Sequence, residues 1–198
     1  MARPRRPSRR EFAPPAPTFV VQEHWTARPH YDLHLEVDGR LVCWMLPKGP
    51  SRDPRLRRFA LRTPDRELDY GRFEGVIPDG EPGAGVVMVW DMGSYEPYLP
   101  AGLSASQGLD RGLLKLHFHG EKLRGLWQMV RWRPTPGSPE TWVLVKLRDR
   151  HTRAGEDLEG EARSALTGRD HDRILADAKA ASPPTTTSAL RLPAAGLG

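Results

Sequence analysis

Cysteine occurs once, at Cys43, so no intrachain disulfide can form and the fold must be held by its core alone. No apolar run approaches the roughly 20 residues of a membrane helix. Even Val86-Val87-Met88-Val89-Trp90 has only the length of a strand. No secretory leader pattern is present, and together with the single thiol this points to a reducing, membrane-free compartment, expected to be the cytoplasm. Helical periodicity is also scarce, and a helix is expected only near residues 172–180. Acidic residues are slightly too few to balance the basic ones, leaving a net charge of +5. Most of that excess lies in residues 1–17, with five arginines against one acid, whereas residues 18–150 carry nineteen basic and seventeen acidic groups. The charge therefore describes a basic, proline-rich arm more than a basic domain.

What the chain does have is short β-rich runs punctuated by turn residues. Phe19-Val20-Val21, His30 to Val37, Leu41 to Leu46, Phe59 to Thr63, Val86 to Asp91, Leu113 to His119, Leu126 to Trp132 and Trp142 to Lys146 read as strands. With no regular helical crossovers they predict an all-β fold, mainly an antiparallel β-barrel with short peripheral helices. Residues 1–17 are expected to be a disordered basic and proline-rich arm, and 18–150 the barrel domain. Residues 151–181 should form a partly helical C-terminal extension, and 182–198 a disordered tail. The glycine- and proline-dense segment from Phe73 to Gly85 is not a phosphate loop, because no Lys-Ser/Thr follows it and the next element is a strand.

One stretch concentrates the chemistry. His24, His30, Asp32 and His34 fall within eleven residues, ahead of the Asp38-Gly39 pair that marks a hairpin turn. On an extended strand His30, Asp32 and His34 share one face, about 7 Å apart in sequence steps of two, while Tyr31, Leu33 and Leu35 take the other. A single His or Asp on a strand is ordinarily just solvated. Three ligand-type side chains on one face, with His24 arriving from the preceding segment, point to binding of a metal or a phosphate. His117 and His119 also share a strand face and are read as structural. His30, Asp32 and a distant His119 imitate the facial triad of iron and 2-oxoglutarate oxygenases, but the Arg-x-Ser expected after the distal His is missing. Among the six tryptophans, Trp44 and Trp90 are expected in the core, and Trp25 is a candidate to stack on a nucleic-acid base.

The segments FVVQEH, HYDLHLEVDG, LPKGPSRDP, LDYGRFEGVIPDGE, GAGVVMVWDMGSYEP, LKLHFHGEKLRGLW and WVLVKLRD span nearly all of Phe19 to Asp149. Through them the chain resembles the 3′-phosphoesterase module of bacterial DNA ligase D, which also occurs free-standing. SALTGR, residues 164–169, is similar to the connector that follows that module. The resemblance implies a metal-dependent β-barrel hydrolase that prefers Mn²⁺. Such an enzyme removes a 3′-terminal ribonucleoside and then the 3′-phosphate from DNA or RNA/DNA primer ends, leaving a ligatable 3′-hydroxyl for repair by end joining. It assigns His24, His30 and Asp32 to the metal and Tyr70 to the active site, and matches Gln22, Lys48 and Arg58 to substrate-handling positions. At two positions this chain departs from the family pattern. His34 stands where the family has Arg, and Arg66 where it has His, so the imidazole and guanidinium that flank the phosphate are exchanged. The resemblance further implies separate ligase and polymerase partners. A catalytically silent module that only binds 3′ ends or repair proteins is the competing expectation.

Overall fold

The computed structural model describes residues 16–132, 137–158 and 161–181. The expected arm and tail therefore lie almost wholly outside the described residues. Nine strands form one antiparallel sheet: β1 (Thr18–Trp25), β2 (His30–Val37), β3 (Arg40–Leu46), β4 (Arg58–Arg66), β5 (Gly75–Ile77), β6 (Gly85–Pro97), β7 (Leu113–Gly120), β8 (Arg124–Trp132) and β9 (Thr141–Lys146). Their order is β1-β2-β3-β4-β9-β8-β7-β6-β5, and a β1–β6 pairing closes eight of them into a barrel. Closure works because β6 is long. Its first two-thirds pair with β1, and its last five residues pair on the other edge with β7, where the short β5 also adds at the opposite end. The expected all-β barrel is thus observed, and the β1–β6 pairing leaves β1 no unpaired edge.

The alternation that predicted the strands also fills the barrel. Phe19, Val21, Tyr31, Leu33, Leu35, Trp44, Trp90, Phe118, Trp127 and Trp142 all belong to the buried interior. Trp44 and Trp90 are core residues, as expected. The Asp38-Gly39 turn has φ of 50° and 79°, the left-handed pair a two-residue hairpin needs. Strand β4 continues past Thr63 to Arg66 because a bulge absorbs Pro64: Cys43 pairs with Thr63 while Leu41 pairs with Arg66.

Among the elements that escaped the sequence reading are a short helix and a short strand. Helix α1 (Ala105–Arg111) is too short for periodicity, yet Ser104 and Gln107 form a complete capping box and Gly112 closes it in the left-handed region. The three-residue β5 lies in the glycine- and proline-dense segment. Helix α2 (His171–Ala181) falls where a helix is expected. Residues 161–181 clasp the barrel: Ala165 N–H donates to Val89 O, and Arg169 bonds both Glu74 (2.8 Å) and Asp177 (3.0 Å).

Candidate metal centre

The candidate site lies on the outside of the barrel wall. In the β1–β2 hairpin His24 pairs with His30, Gln22 with Asp32 and Val20 with His34, so all six side chains share the face opposite the core residues Phe19, Val21, Leu33 and Leu35. Such a face is normally wet, but here Val20, Gln22, His24 and His34 are buried. The cover is a 3₁₀ turn, Leu68–Arg72, crossing over β1 and β3. A Cβ on Gly71 would sit 3.2 Å from Val20 and 3.3 Å from Leu41, so glycine permits this close crossing. Gln22 anchors the turn by donating its amide to the carbonyls of Tyr70 (3.2 Å) and Phe73 (2.8 Å).

His24, His30 and Asp32 converge, with one potential ligand atom from each lying within 4.8 Å of the others. Asp32 Oδ2 is 3.8 Å from His24 Nδ1 and 3.5 Å from His30 Nε2. The far nitrogens are already used: His24 Nε2 bonds Gly83 O at 2.8 Å and His30 Nδ1 bonds Arg28 O at 3.0 Å. A carbonyl only accepts, so each of these nitrogens carries a proton; in the neutral rings the lone pairs of His24 Nδ1 and His30 Nε2 then face the point where the carboxylate lies, and in the protonated rings the same two nitrogens donate to Asp32. Backbone carbonyls that orient imidazoles in this way are the usual support of metal-ligating histidines. Burial alone would raise the Asp32 pKa, but hydrogen bonds from His24 and His30 hold its carboxyl well below the usual range. His30 is pushed up, chiefly by its hydrogen bond to Asp32, against the opposing pull of burial. This is a place that favours positive charge. Two imidazoles and one carboxylate suit a borderline divalent ion such as Mn²⁺, with coordination positions left for water or substrate.

The glycine- and proline-dense segment acquires a role here. Gly83, at φ 82°, delivers its carbonyl to His24, and a Cβ added there would lie 3.4 Å from the imidazole Cε1. Gly83→Ala is expected to strain the loop by roughly 1 kcal/mol or more and to release His24. The measurable outcome is weaker Mn²⁺ binding, by about 10- to 100-fold in titration calorimetry, without loss of the barrel.

An open cleft of about 630 Å³ rises from the three groups, lined also by Arg28, Arg66, Tyr70, Ile77 and Gly83. Arg66 and Tyr70, both singled out from the sequence, therefore stand at the cleft. Arg66 lies over the Tyr70 ring at 4.8 Å. His34 does not reach the cleft. It is 2% exposed, packed T-shaped against the Tyr70 ring at 5.7 Å, and bonded to Gln22 Oε1 and Cys43 Sγ, both at 2.9 Å. Burial, with Arg66 adding, pushes its pKa down to about 4 against the opposing pull of Asp32, so it is neutral. Because Gln22 spends its NH₂ on two carbonyls, its Oε1 must accept from His34 Nε2–H, and the bare Nδ1 of the neutral ring then competes with Leu41 O (3.2 Å) for the one hydrogen of the Cys43 thiol. That thiol is pushed up to about 11 by burial and is no nucleophile.

The remaining sequence candidates lie elsewhere. Gln22 is 1% exposed, with its amide bonded internally, so it faces no substrate. Arg58 is buried, donating to Gly49 O at 2.7 Å and pairing with Asp157. Lys48 is exposed beyond β3 and does not line the cleft. His119 sits on β7, which β6 separates from β1, and pairs with His117 and Glu96, so it does not complete a triad with His30 and Asp32. Trp25 is 47% exposed and stacks on His171 at 4.1 Å. Arg28 was missed by sequence reasoning. Its signal was present, as a basic residue in the turn between two candidate ligands, but an exposed turn arginine is ordinarily only solvated.

Residues 22–131 match the family model of the DNA ligase D 3′-phosphoesterase domain. The multifunctional non-homologous end joining protein LigD of Pseudomonas aeruginosa is 43% identical over 146 residues, 74% of this chain and 16% of that protein. The multifunctional non-homologous end joining DNA repair protein LigD of Mycobacterium tuberculosis is 37% identical over 132 residues, covering 67% and 16% respectively. LigD of Mycolicibacterium smegmatis is 37% identical over 143 residues, 71% of this chain and 18% of that protein. The chain thus corresponds to less than a fifth of each of these relatives. With the closed barrel, the convergent His24, His30 and Asp32 and a match over more than half its length, this chain belongs to the family of DNA ligase D 3′-phosphoesterase domains.

Proposed function

We propose that this protein is a divalent-metal-dependent phosphoesterase, served best by Mn²⁺, that trims the 3′ ends of DNA or of RNA/DNA primer strands. It removes a terminal ribonucleoside and a 3′-phosphate and leaves a ligatable 3′-hydroxyl. The observation that carries this reading is the orientation of His24 Nδ1, His30 Nε2 and Asp32 Oδ2 toward one point at the floor of a cleft rimmed by arginine.

When bound there, a divalent ion supplies Lewis acidity toward a phosphoryl oxygen and lowers the pKa of a water. His24, His30 and Asp32 are the groups that would hold it. Arg66 and Arg28 place guanidinium charge at the rim, where it offsets the phosphate and whatever charge develops in the transition state. Tyr70 remains a protonated phenol at neutral pH, since burial pushes its pKa up and outweighs the lowering by Arg66. It therefore donates a hydrogen bond to a phosphate oxygen. Gln22 and His34 position Tyr70 from behind through the anchored 3₁₀ turn.

The test is a labelled primer strand ending in one ribonucleotide, incubated with Mn²⁺ or with chelator and resolved on a gel. Loss of the nucleoside followed by loss of the phosphate, only with Mn²⁺, is the expected result. Retained binding with no shortening would leave a 3′-end binding module instead.

A further inference from the structure

The cleft shares its end of the barrel with a second basic hollow. Chain polarity around the barrel puts the β1–β2 turn, the start of β4, the β7–β8 turn and the exit of β9 at the same end, and the β6 register sets Gly120 beside Gly93 and Trp25 beside Val86, seven residues or about 23 Å apart along one strand. Around that end, on the β8–β9 side, a hollow of about 280 Å³ is lined by Arg52, Glu121, Arg124, His151 and Arg153. Arg150 adjoins it, with Nε 3.1 Å from His151 Nε2. Arg52 is neutralised by Glu156 and Glu161. Arg124, Arg150 and Arg153 are exposed and, among the described residues, make no ion pair.

These cations sit on an unusually rigid support. Buried Asp91 accepts the backbone N–H of Glu121 (2.9 Å) and Leu123 (2.7 Å), which pins the turn carrying Arg124. Lys146, buried at the barrel end, bonds Asp149 at 2.6 Å, and Asp149 in turn accepts N–H from Leu126 (2.6 Å) and His151 (2.8 Å). Arg153 is steadied by the carbonyls of Arg150 (3.1 Å) and Thr152 (2.8 Å), and Arg124 by that of Gly120 (3.0 Å). Among the described residues Glu121 is the one carboxylate lining the hollow and forms no ion pair with these arginines, so the three like charges outnumber it and repel one another, a cost relieved when a polyanion binds. Fixed guanidiniums also lose little entropy in doing so.

We propose that Arg124, Arg150 and Arg153 form a second phosphate-binding site, which holds the phosphodiester backbone of the nucleic acid whose 3′ end enters the metal cleft. This rests on the end-processing reading for what lies in the cleft, but not for binding itself. Among the described residues the hollow holds no convergent set of metal ligands, and guanidinium charge on phosphate fixes a backbone without reading its sequence. It gives grip on a long substrate and adds nothing at the reacting atoms.

The experiment uses the full chain carrying Arg124→Gln and Arg153→Gln, with a melting curve to check the fold. Anisotropy of a labelled primer–template duplex and of the same single strand, metal-free and across a salt series, reports binding. Turnover with Mn²⁺ is compared on the long substrate and on a dinucleotide bearing a 3′-phosphate. The expected result is binding weakened by about tenfold at low salt and a salt slope smaller by about two. KM for the long substrate should rise with kcat unchanged, and the dinucleotide should be unaffected. Loss on duplex and single strand alike assigns the contact to the processed strand, and loss on duplex alone to its complement. An unchanged salt slope, or equal loss on the dinucleotide, overturns the proposal. If the unsubstituted protein cleaves nothing yet shows the arginine-dependent salt slope, the end-processing reading fails while this site stands.

Discussion

Asp32→Asn is expected to lower Mn²⁺-dependent trimming by about 10³-fold while leaving the barrel intact. The change is nearly isosteric, and Asp32 lies on the outer face of β2, so no core contact is lost. What disappears is the only carboxylate among the three convergent groups. A divalent ion held by two neutral imidazoles alone keeps too little affinity, and the several kcal/mol of charge stabilisation it supplies go with it. Thermal unfolding gives a second, activity-free readout. In the unsubstituted protein Mn²⁺ at about 100 times its Kd should stabilise the fold by about 2.7 kcal/mol, and this increment should vanish in the variant. A variant that kept both the increment and the turnover would remove Asp32 from the metal site.

The exchanged pair yields the second large effect. His34→Arg should destabilise the protein by about 3–5 kcal/mol, because it forces a permanent charge into a nearly solvent-free position already bonded to Gln22 and Cys43. A second guanidinium, that of Arg66, already lies across the Tyr70 ring. Arg66→His alone alters an exposed side chain and should barely change stability, while lowering turnover through loss of fixed charge at the cleft. Combining the two removes the like charge and vacates the face of Tyr70 toward which the new arginine can extend. The double variant is therefore expected to recover at least about 1 kcal/mol relative to the sum of the single changes, and to trim better than His34→Arg. Urea unfolding and primer trimming on all four members of the cycle measure this. Strict additivity in both would mean that His34 and Arg66 do not compensate for each other.

This pair also shows where sequence reasoning reached its limit. Strand alternation places His34 on the same face as His30 and Asp32, and so gives it equal standing as a ligand. The resemblance moves it to the phosphate, paired with Arg66. Neither could show that a 3₁₀ turn from thirty-odd residues downstream lies over that end of the face, turning a solvent-facing imidazole into a buried neutral one that supports Tyr70. Gln22 and Arg58 follow the same logic: each is polar in sequence, and each is taken up by carbonyls or a carboxylate that only the folded chain brings near.

By itself the sequence determined the barrel and the core, because side-chain alternation and turn residues are local properties that every strand repeats. It also determined the candidate ligands, because His30 and Asp32 are two residues apart on one strand and His24 lies across a short turn from them. Only the tertiary structure decided which nitrogen of each imidazole is free, since the carbonyls of Gly83 and Arg28 make that choice. It likewise decided that His34 lies beneath the cleft and that Arg66 and Arg28 stand at its rim. The physical reason is range: strand periodicity acts over two residues, whereas hydrogen-bond partners and burial are set by segments that meet only when the barrel closes.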